Sequence, residues 1–370
     1  MENMVLYRKY RPQSFGEIIG QKHIIQTLTN AITTGKVAHA YLFCGPRGTG
    51  KTTVARILSK AINCETRGKN FEPCNKCQSC EEINAGRSMD LIEIDAASNR
   101  GIDEIRELRE GIKFSPARLQ YKVFIIDEVH MLTREAFNAL LKTLEEPPSH
   151  TIFILATTEI HKMPSTIISR CQRFDFHKLA LSEIVKRLKF IAGEEKIEIE
   201  QSALELIALN ADGGQRDAES LLGQVMAMED KEITLEEVQA ILGTVDISAV
   251  VLMVNFILKK DVTGLITFIN KIVEEGYDLG QFSKSLINYF RKMMILKTAG
   301  ADDILQFKNL VAPEFTDEQL KVILEQGQKL SAGDLVRLIK AFIEAENQIK
   351  SAVFPQLPLE LLVVELFGQK

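Results

Sequence analysis

Five short apolar runs mark the first half of the chain: Ala40–Cys44, Leu91–Asp95, Lys122–Asp127, Thr151–Thr157 and Arg173–His177. Most lack polar alternation, as strands covered on both faces should. Segments with helical spacing separate them. One is Thr133–Leu144, with Thr133 placed to cap it and Glu135 in its first turn. Strands alternating with helices predict a parallel sheet with helices on both faces. Beyond His177 the strand pattern stops. Ser182–Glu194 and Ser202–Asn210 are amphipathic, and Ser202-Ala-Leu-Glu205 reads as a capping box. Asp212-Gly213-Gly214 breaks the chain before a helix over Gln215–Met228, and Thr234-Leu-Glu-Glu237 is a second capping box. From Asp246 onward the pattern is helical, with breaks at Gly276, Gly300, Pro313 and Ser331 and a cap at Thr316. The stripe Leu357–Leu366 suits either a bundle core or a subunit interface. The reading is therefore α/β followed by all-α, in three domains over residues 1–178, 179–243 and 244–370.

The chemistry starts where the first strand ends. Gly45-Pro46-Arg47-Gly48-Thr49-Gly50-Lys51-Thr52 fits G-x-x-x-x-G-K-[ST] between a strand and a helix. Glycines let successive N–H groups turn towards one anion, and the following helix adds its positive end. Lys51 is placed for the β- and γ-phosphates, and Thr52 for Mg²⁺. The strand Lys122–Asp127 runs into a second acid. Asp127 then falls to the metal and Glu128 to the attacking water, as a general base. Val129-His130 extends the box to Asp-Glu-Val-His, but a helicase of that type needs a second sheet that no later segment offers. His130 is read as a packing or hydrogen-bonding residue. Thr157 and Thr158 put hydroxyls at the next strand end. Ser169-Arg170-Cys171 and Gly214-Gln215-Arg216-Asp217 place arginines for a phosphate, the first on a neighbouring subunit.

Composition limits the partners. The 370 residues are 45% hydrophobic and 26% charged with a net charge of −5, so contact with nucleic acid requires a local basic patch or other subunits. No run is long enough to span a bilayer and no leader pattern opens the chain, which predicts a cytoplasmic protein. Four of the six cysteines, Cys64, Cys74, Cys77 and Cys80, form an insertion at about residues 64–82. Thiolates so spaced suit tetrahedral zinc with no open position; the rival is a set of reduced surface thiols. On the zinc reading, Cys77→Ser lowers metal content and stability and spares the nucleotide pocket. Cys44 reads as a core residue.

The order of phosphate loop, Asp-Glu box, threonine, Ser-Arg-Cys and Gly-x-Arg-Asp resembles the AAA+ ATPases of clamp loaders. The segments Leu6-Tyr7-Arg8-Lys9-Tyr10-Arg11-Pro12 and Ile18-Ile19-Gly20-Gln21, with the cysteine insertion, narrow the resemblance to the bacterial DNA polymerase III gamma/tau family. The resemblance implies a sheet order 5-1-4-3-2, a helical lid and a C-terminal helical collar. It implies that Tyr7, Arg8, Tyr10, Arg11, Pro12, Ile18 and Ile19 wall the adenosine pocket, and that Gly45 to Thr53 (Pro46, Arg47, Gly48, Thr49, Gly50, Lys51 and Thr52 between them) hold the phosphates. Thr158 and Arg216 become the two sensors, and Arg170 the finger acting on the adjacent subunit. The implied cofactors are ATP, Mg²⁺ and Zn²⁺. The implied partners are delta and delta-prime subunits, further copies of the chain, the sliding clamp and primer-template DNA, with polymerase and helicase reached through a longer C-terminal form. Arg100 is a candidate DNA-phosphate contact. The alternatives are a DNA-translocating motor of branch-migration type and a non-enzymatic nucleotide-bound scaffold.

Overall fold

The computed structural model describes residues 5–66, 71–99, 101, 108, 110–112, 114–227, 232–242, 247–298, 317–349 and 351–368. Arg100, Met228, Gly243, Asp246, Gly300, Pro313 and Thr316 lie outside them. The chain divides into two compact units, Met1–Leu235 and Glu236–Lys370.

The first unit is built on a parallel sheet of β1 (Ala40–Cys44), β2 (Leu91–Asp95), β3 (Lys122–Asp127), β4 (Thr151–Thr157) and β5 (Gln172–Asp175). The strand order is β2-β3-β4-β1-β5, which is 5-1-4-3-2 read from the other edge. The central strands β1 and β4 are buried at every position, whereas edge strand β5 buries only Phe174. Alternate residues of a strand face opposite ways, so each central strand feeds two cores. Tyr41, Phe43, Ile125 and Ile154 pack with Val54, Leu58, Ile24 and Leu28 from helices Lys51–Asn63 and Lys22–Thr33. Leu42, Phe124, Phe153 and Leu155 pack on the other side with Phe137 and Leu140 of helix Arg134–Glu145. Thr133 caps that helix, its Oγ1 accepting the Ala136 N–H at 3.3 Å. The register aligns Cys44 with Thr157 and with Asp175, and Asp95 with Asp127. Loops that carry chemistry therefore leave from one edge of the sheet.

Helices Leu181–Glu195, Gln201–Asn210 and Gln215–Met226 follow within the same unit. Two points depart from the sequence reading. A second, two-stranded parallel sheet pairs β6 (Glu198–Ile199) with β7 (Glu232–Ile233). Strands of two residues are too short to carry a period, so no pattern announces them. The box at Ser202–Glu205 does not form: the helix starts at Gln201, Ser202 Oγ donates to Glu200 Oε2 at 3.3 Å, and Glu205 Oε1 accepts from Gln201 Nε2 at 2.8 Å.

The second unit is helical among its described residues. Helices Ile247–Lys259, Val262–Glu274, Leu279–Thr298, Asp317–Gln328, Ala332–Ile349 and Leu357–Phe367 contribute to one core that includes Phe282, Phe290 and Phe342. A polar pin crosses it: Tyr289 Oη donates to Gln326 Oε1 at 2.7 Å, and Gln326 Nε2 donates to Asn255 Oδ1 at 2.9 Å. The terminal stripe is only partly taken into this core. Leu359, Leu362 and Val363 are buried in this core, whereas Leu361 and Val364 are more than half exposed. Among the described residues no helix is long and apolar enough to cross a membrane.

Candidate active site

The loop after β1 is shaped by backbone that only glycine adopts easily. Gly45, Gly48 and Gly50 have φ of 149°, 75° and 97°. A Cβ on Gly45 would stand 2.3 Å from the Phe176 carbonyl oxygen. Gly50 caps the thirteen-residue helix Lys51–Asn63, whose first-turn N–H groups have no partner within the helix. Lys51 is buried; its Nζ donates to the carbonyls of Gly45 at 2.8 Å and Pro46 at 2.7 Å. Burial lowers its pKa from the ordinary lysine value, against the opposing pull of Glu128 and Asp127. Its Nζ sits in the bend of the loop, where a polyanion would meet it.

Oxygen donors gather beside the loop. Thr52 Oγ1 donates to Asp127 Oδ2 at 2.6 Å, so a hydroxyl and a carboxylate sit side by side, the hard-oxygen pair that Mg²⁺ favours. Glu128 follows in the left-handed region at φ 46°, and Thr158 Oγ1 donates to its Oε2 at 3.0 Å. His130 is nearly buried, with Nδ1 2.9 Å from Thr157 Oγ1 and 3.5 Å from Glu128 Oε2. It joins strand ends, as a hydrogen-bonding residue would.

Above the loop lies a cleft of about 950 Å³, part of it open to solvent. Tyr7, Arg11, Pro12, Ile18 and Ile19 form one wall, and Gly48 to Thr53 with Asp127 and Glu128 form the floor. Arg216 also lines the cleft, its guanidinium 4.6 Å from the centre of the Tyr7 ring. Helix Gln215–Met226 closes directly on the loop: Gln215 N donates to Gly48 O at 3.0 Å. A Cβ on Gly48 would come within 3.1 Å of Gly214 Cα, so two glycines permit this approach. Four residues named in advance stand apart from the lining. Gly45 and Pro46 lie under Lys51, Arg8 sits with its guanidinium carbon 6.0 Å from the Tyr7 ring centre, and Tyr10 Oη donates to Glu195 Oε1 at 2.6 Å. Thr158 also falls outside the lining and reaches it through Glu128, and Arg170 lies outside the cleft: its Nη2 donates to Glu145 Oε1 at 2.7 Å and its Nη1 to Thr166 O at 2.8 Å.

The Sγ atoms of Cys64, Cys74, Cys77 and Cys80 all lie within 4.8 Å of one another. Four thiolates bound tetrahedrally at about 2.3 Å would stand about 3.8 Å apart, so the cluster fits zinc after a slight contraction. The N–H groups of Cys77 and Lys76 donate to Cys74 Sγ at 3.2 and 3.5 Å, and that of Cys74 to Cys64 Sγ at 3.3 Å, bonds that stabilise thiolate. Burial pushes the Cys44 thiol up to about 11 and the Cys171 thiol up to about 12.

Comparison with known proteins finds three family models along the chain. Residues 20–180 match the model "DNA polymerase III, delta subunit", 183–231 match "DNA polymerase III clamp loader subunit, ATPase lid domain", and 233–370 match "DNA polymerase III subunits gamma and tau domain III". The gamma subunit of DNA polymerase III from Buchnera aphidicola (subspecies Acyrthosiphon pisum) is 36% identical over 368 residues, covering 100% of this chain and 99% of that one. The chain belongs to the DNA polymerase III gamma/tau family. The tau subunit of Bacillus subtilis is 44% identical over 367 residues, covering 99% of this chain but 63% of the relative. This gamma/tau-family chain thus spans less than two thirds of the tau relative's length. Among solved structures, the Thermotoga maritima RuvB Holliday junction branch migration motor is similar, with a TM-score of 0.48, 19% identity, and coverage of 86% of this chain and 91% of that one. A likeness of that degree carries no argument for the branch-migration alternative.

Several lining residues of this gamma/tau-family cleft escaped the sequence reading: Glu17, Leu179, Arg187, Gln215 and Glu219. Glu219 is buried, accepts from Gln215 Nε2 at 3.0 Å and lies 3.5 Å from Arg187 Nε. Burial raises its carboxyl above the ordinary value, against the hydrogen bond from Gln215 and the charge of Arg187. Arg187 also donates to the Tyr10 carbonyl, which ties the N-terminal wall to helix Leu181–Glu195. A signal for two of them existed. Gln215 and Glu219 are four residues apart on the helix that carries Arg216, so they share a face. Arg187 sits in an amphipathic helix without a motif.

Proposed function

We propose that this chain is the ATP-hydrolysing motor subunit of a bacterial clamp loader, opening the sliding clamp and loading it onto primed DNA within the DNA polymerase III holoenzyme. One observation carries the reading: the phosphate loop, Thr52, Asp127 and Glu128 line one cleft, with Thr52 bonded to Asp127 and Thr158 bonded to Glu128 from just behind the lining. Lys51 and the loop N–H groups hold the phosphates, and the Pro12–Ile19 wall takes the nucleoside. Thr52 and Asp127 hold Mg²⁺, which when bound neutralises charge on the phosphates. Glu128 accepts a proton from the attacking water, positioned by Thr158. Arg216 reports the nucleotide to the lid. Arg170, tethered to Glu145 outside its own cleft, serves the cleft of an adjacent copy. The division of labour is residues 1–178 for hydrolysis, 179–243 for the lid and 244–370 for assembly. Cys64, Cys74, Cys77 and Cys80 hold a structural zinc.

The names of the family models support membership of a complex with other clamp-loader subunits. We assign delta and delta-prime subunits, further copies of the chain, the clamp and primer-template DNA as the partners, in a cytoplasmic assembly; polymerase and helicase require a longer C-terminal form. The test mixes the chain with a delta/delta-prime pair and clamp and follows clamp transfer to primed circles. Loading that requires ATP and an intact Lys51 supports the reading. Loading without ATP, or no loading by an assembled complex, refutes it. Metal analysis of the purified chain tests zinc separately: one equivalent is expected, and none would remove the metal role.

A further inference from the structure

The wall segment Gln13–Glu17 is a loop with a single 3₁₀ turn at Phe15–Glu17, in which Phe15 alone is buried. It leads directly into Ile18 and Ile19 of the cleft. Glu17 accepts from Gln13 N and Ser14 Oγ within the segment, and further groups are held from the cysteine-bearing segment. Glu72, between Cys64 and Cys74, accepts the N–H groups of Phe15 and Gly16, both at 2.8 Å. Asn75 lies inside the Cys74–Cys77 pair at a left-handed φ of 55° and donates to Gln13 O at 3.2 Å. Lys60, 2% exposed, stands on the helix that begins at the phosphate loop. Its Nζ reaches Gln13 O at 2.8 Å, Gln13 Oε1 at 2.9 Å, Asn75 Oδ1 at 2.7 Å and Asn84 Oδ1 at 2.8 Å. Phe71 packs on the same apolar core as Phe15 and Ile18.

We propose that Glu72, Asn75 and Lys60 are positioning residues for the nucleotide: the cysteine-bearing segment is a strut that sets the Pro12–Ile19 wall against the nucleoside. This rests on the ATP reading of the cleft and extends it, because it gives the cysteine cluster a role in nucleotide affinity as well as in folding. The physical reason is loop entropy. A loop with one apolar anchor samples many conformations, and each must be lost on binding unless other contacts have already removed it. A carboxylate on two adjacent N–H groups and a buried ammonium on four acceptors fix the backbone in advance. The expectation that cysteine substitution spares the pocket is thereby replaced: Cys77→Ser should loosen Asn75 and weaken ATP binding.

The experiment uses the full chain and two probes, Mg-ATP and inorganic tripolyphosphate. Glu72→Gln and Lys60→Met are compared with wild type in equilibrium binding, with zinc content measured on each sample. ATP affinity should fall by about threefold to tenfold in each variant, since Glu72→Gln weakens two hydrogen bonds to the wall and Lys60→Met removes the two to Gln13. Tripolyphosphate, which never touches the wall, should bind as in wild type, and Glu72→Gln should keep its zinc. Unchanged ATP affinity in Glu72→Gln overturns the proposal. So does an equal loss for both probes, since that is general destabilisation. A wild-type chain that binds tripolyphosphate and ATP equally well would remove the nucleoside reading of the wall itself.

Discussion

Thr158 donates its hydroxyl to Glu128 across 3.0 Å, joining the end of β4 to the residue that follows β3. The bond holds the carboxylate of a residue whose backbone is already confined to the left-handed region. Glu128→Gln should retain ATP binding, since Lys51 and the loop are untouched, and lower turnover by about 10²–10⁴-fold, the usual range for a general base. Thr158→Val keeps the shape and releases the carboxylate, so turnover should fall by a smaller factor with binding intact. Single-turnover phosphate release checks both. Full activity in Glu128→Gln would remove it as the base.

Arg170 is bound to Glu145 and to Thr166 O, and it does not line the cleft of its own chain. Removing it should therefore leave ATP binding by the isolated chain unchanged. In assemblies of Arg170→Ala with wild-type subunits, hydrolysis should fall in proportion to the fraction of variant neighbours, reaching at least a tenfold loss when all are variant. A variant that is impaired as an isolated monomer would place Arg170 in its own site instead.

The parts of this protein legible in the sequence are those where one physical demand dominates. Strands β1, β3 and β4 are largely buried, so mostly apolar residues fit; their bounds, and those of the half-exposed edge strand β2, were readable to the residue. The phosphate loop was readable because φ values near 75° to 149° call for glycine. Edge strand β5 was displaced, because its exposed positions relax the pattern. The lining residues Arg187 and Glu219 were hidden for another reason: they face each other from two helices, Leu181–Glu195 and Gln215–Met226, and no local spacing reports a contact 32 residues apart. The link from Glu72 to Phe15 was invisible on the same ground.

Asp90 offers a pH test. It is 3% exposed, and its carboxylate accepts the N–H groups of Ala117, Arg118 and Leu119 at 2.8 to 2.9 Å. Burial alone would push its carboxyl up. The three N–H groups and the Lys122 ammonium outweigh burial and hold it below the ordinary value. A lowered acid pKa means that the unfolded chain binds the proton more readily, so the stabilisation is present above the unfolded value near 4 and disappears as pH falls through the folded value. Asp90→Asn should cost about 1–3 kcal/mol at pH 7, the scale of hydrogen bonds to a charged acceptor. The gap from wild type should narrow below about pH 4. Urea titrations at several pH values check this, and a gap independent of pH would show that the charge is irrelevant.

Two glycines of the phosphate loop separate backbone strain from steric conflict. Gly45 and Gly50 both have positive φ, at 149° and 97°. A Cβ on Gly50 meets nothing within 4 Å, so Gly50→Ala carries only the conformational penalty, about 1–3 kcal/mol. A Cβ on Gly45 meets the carbonyl oxygen of Phe176 at 2.3 Å and its Cβ at 2.8 Å. That oxygen belongs to a backbone fixed by the bond from Phe176 N to Cys44 O at 2.6 Å, so it has little room to move. Gly45→Ala should cost the same penalty plus a further ~1–3 kcal/mol for the overlap. The conflict also has a functional direction. Relief by moving the loop would carry the Gly45 carbonyl away from Lys51, whereas Gly50→Ala disturbs the N–H groups that open the helix. Both should weaken ATP binding, with Gly45→Ala alone losing markedly in denaturation midpoint relative to Gly50→Ala. Equal stability of the two variants would mean that Phe176 yields, and that the β5 edge is softer than its hydrogen bonding to Cys44 implies.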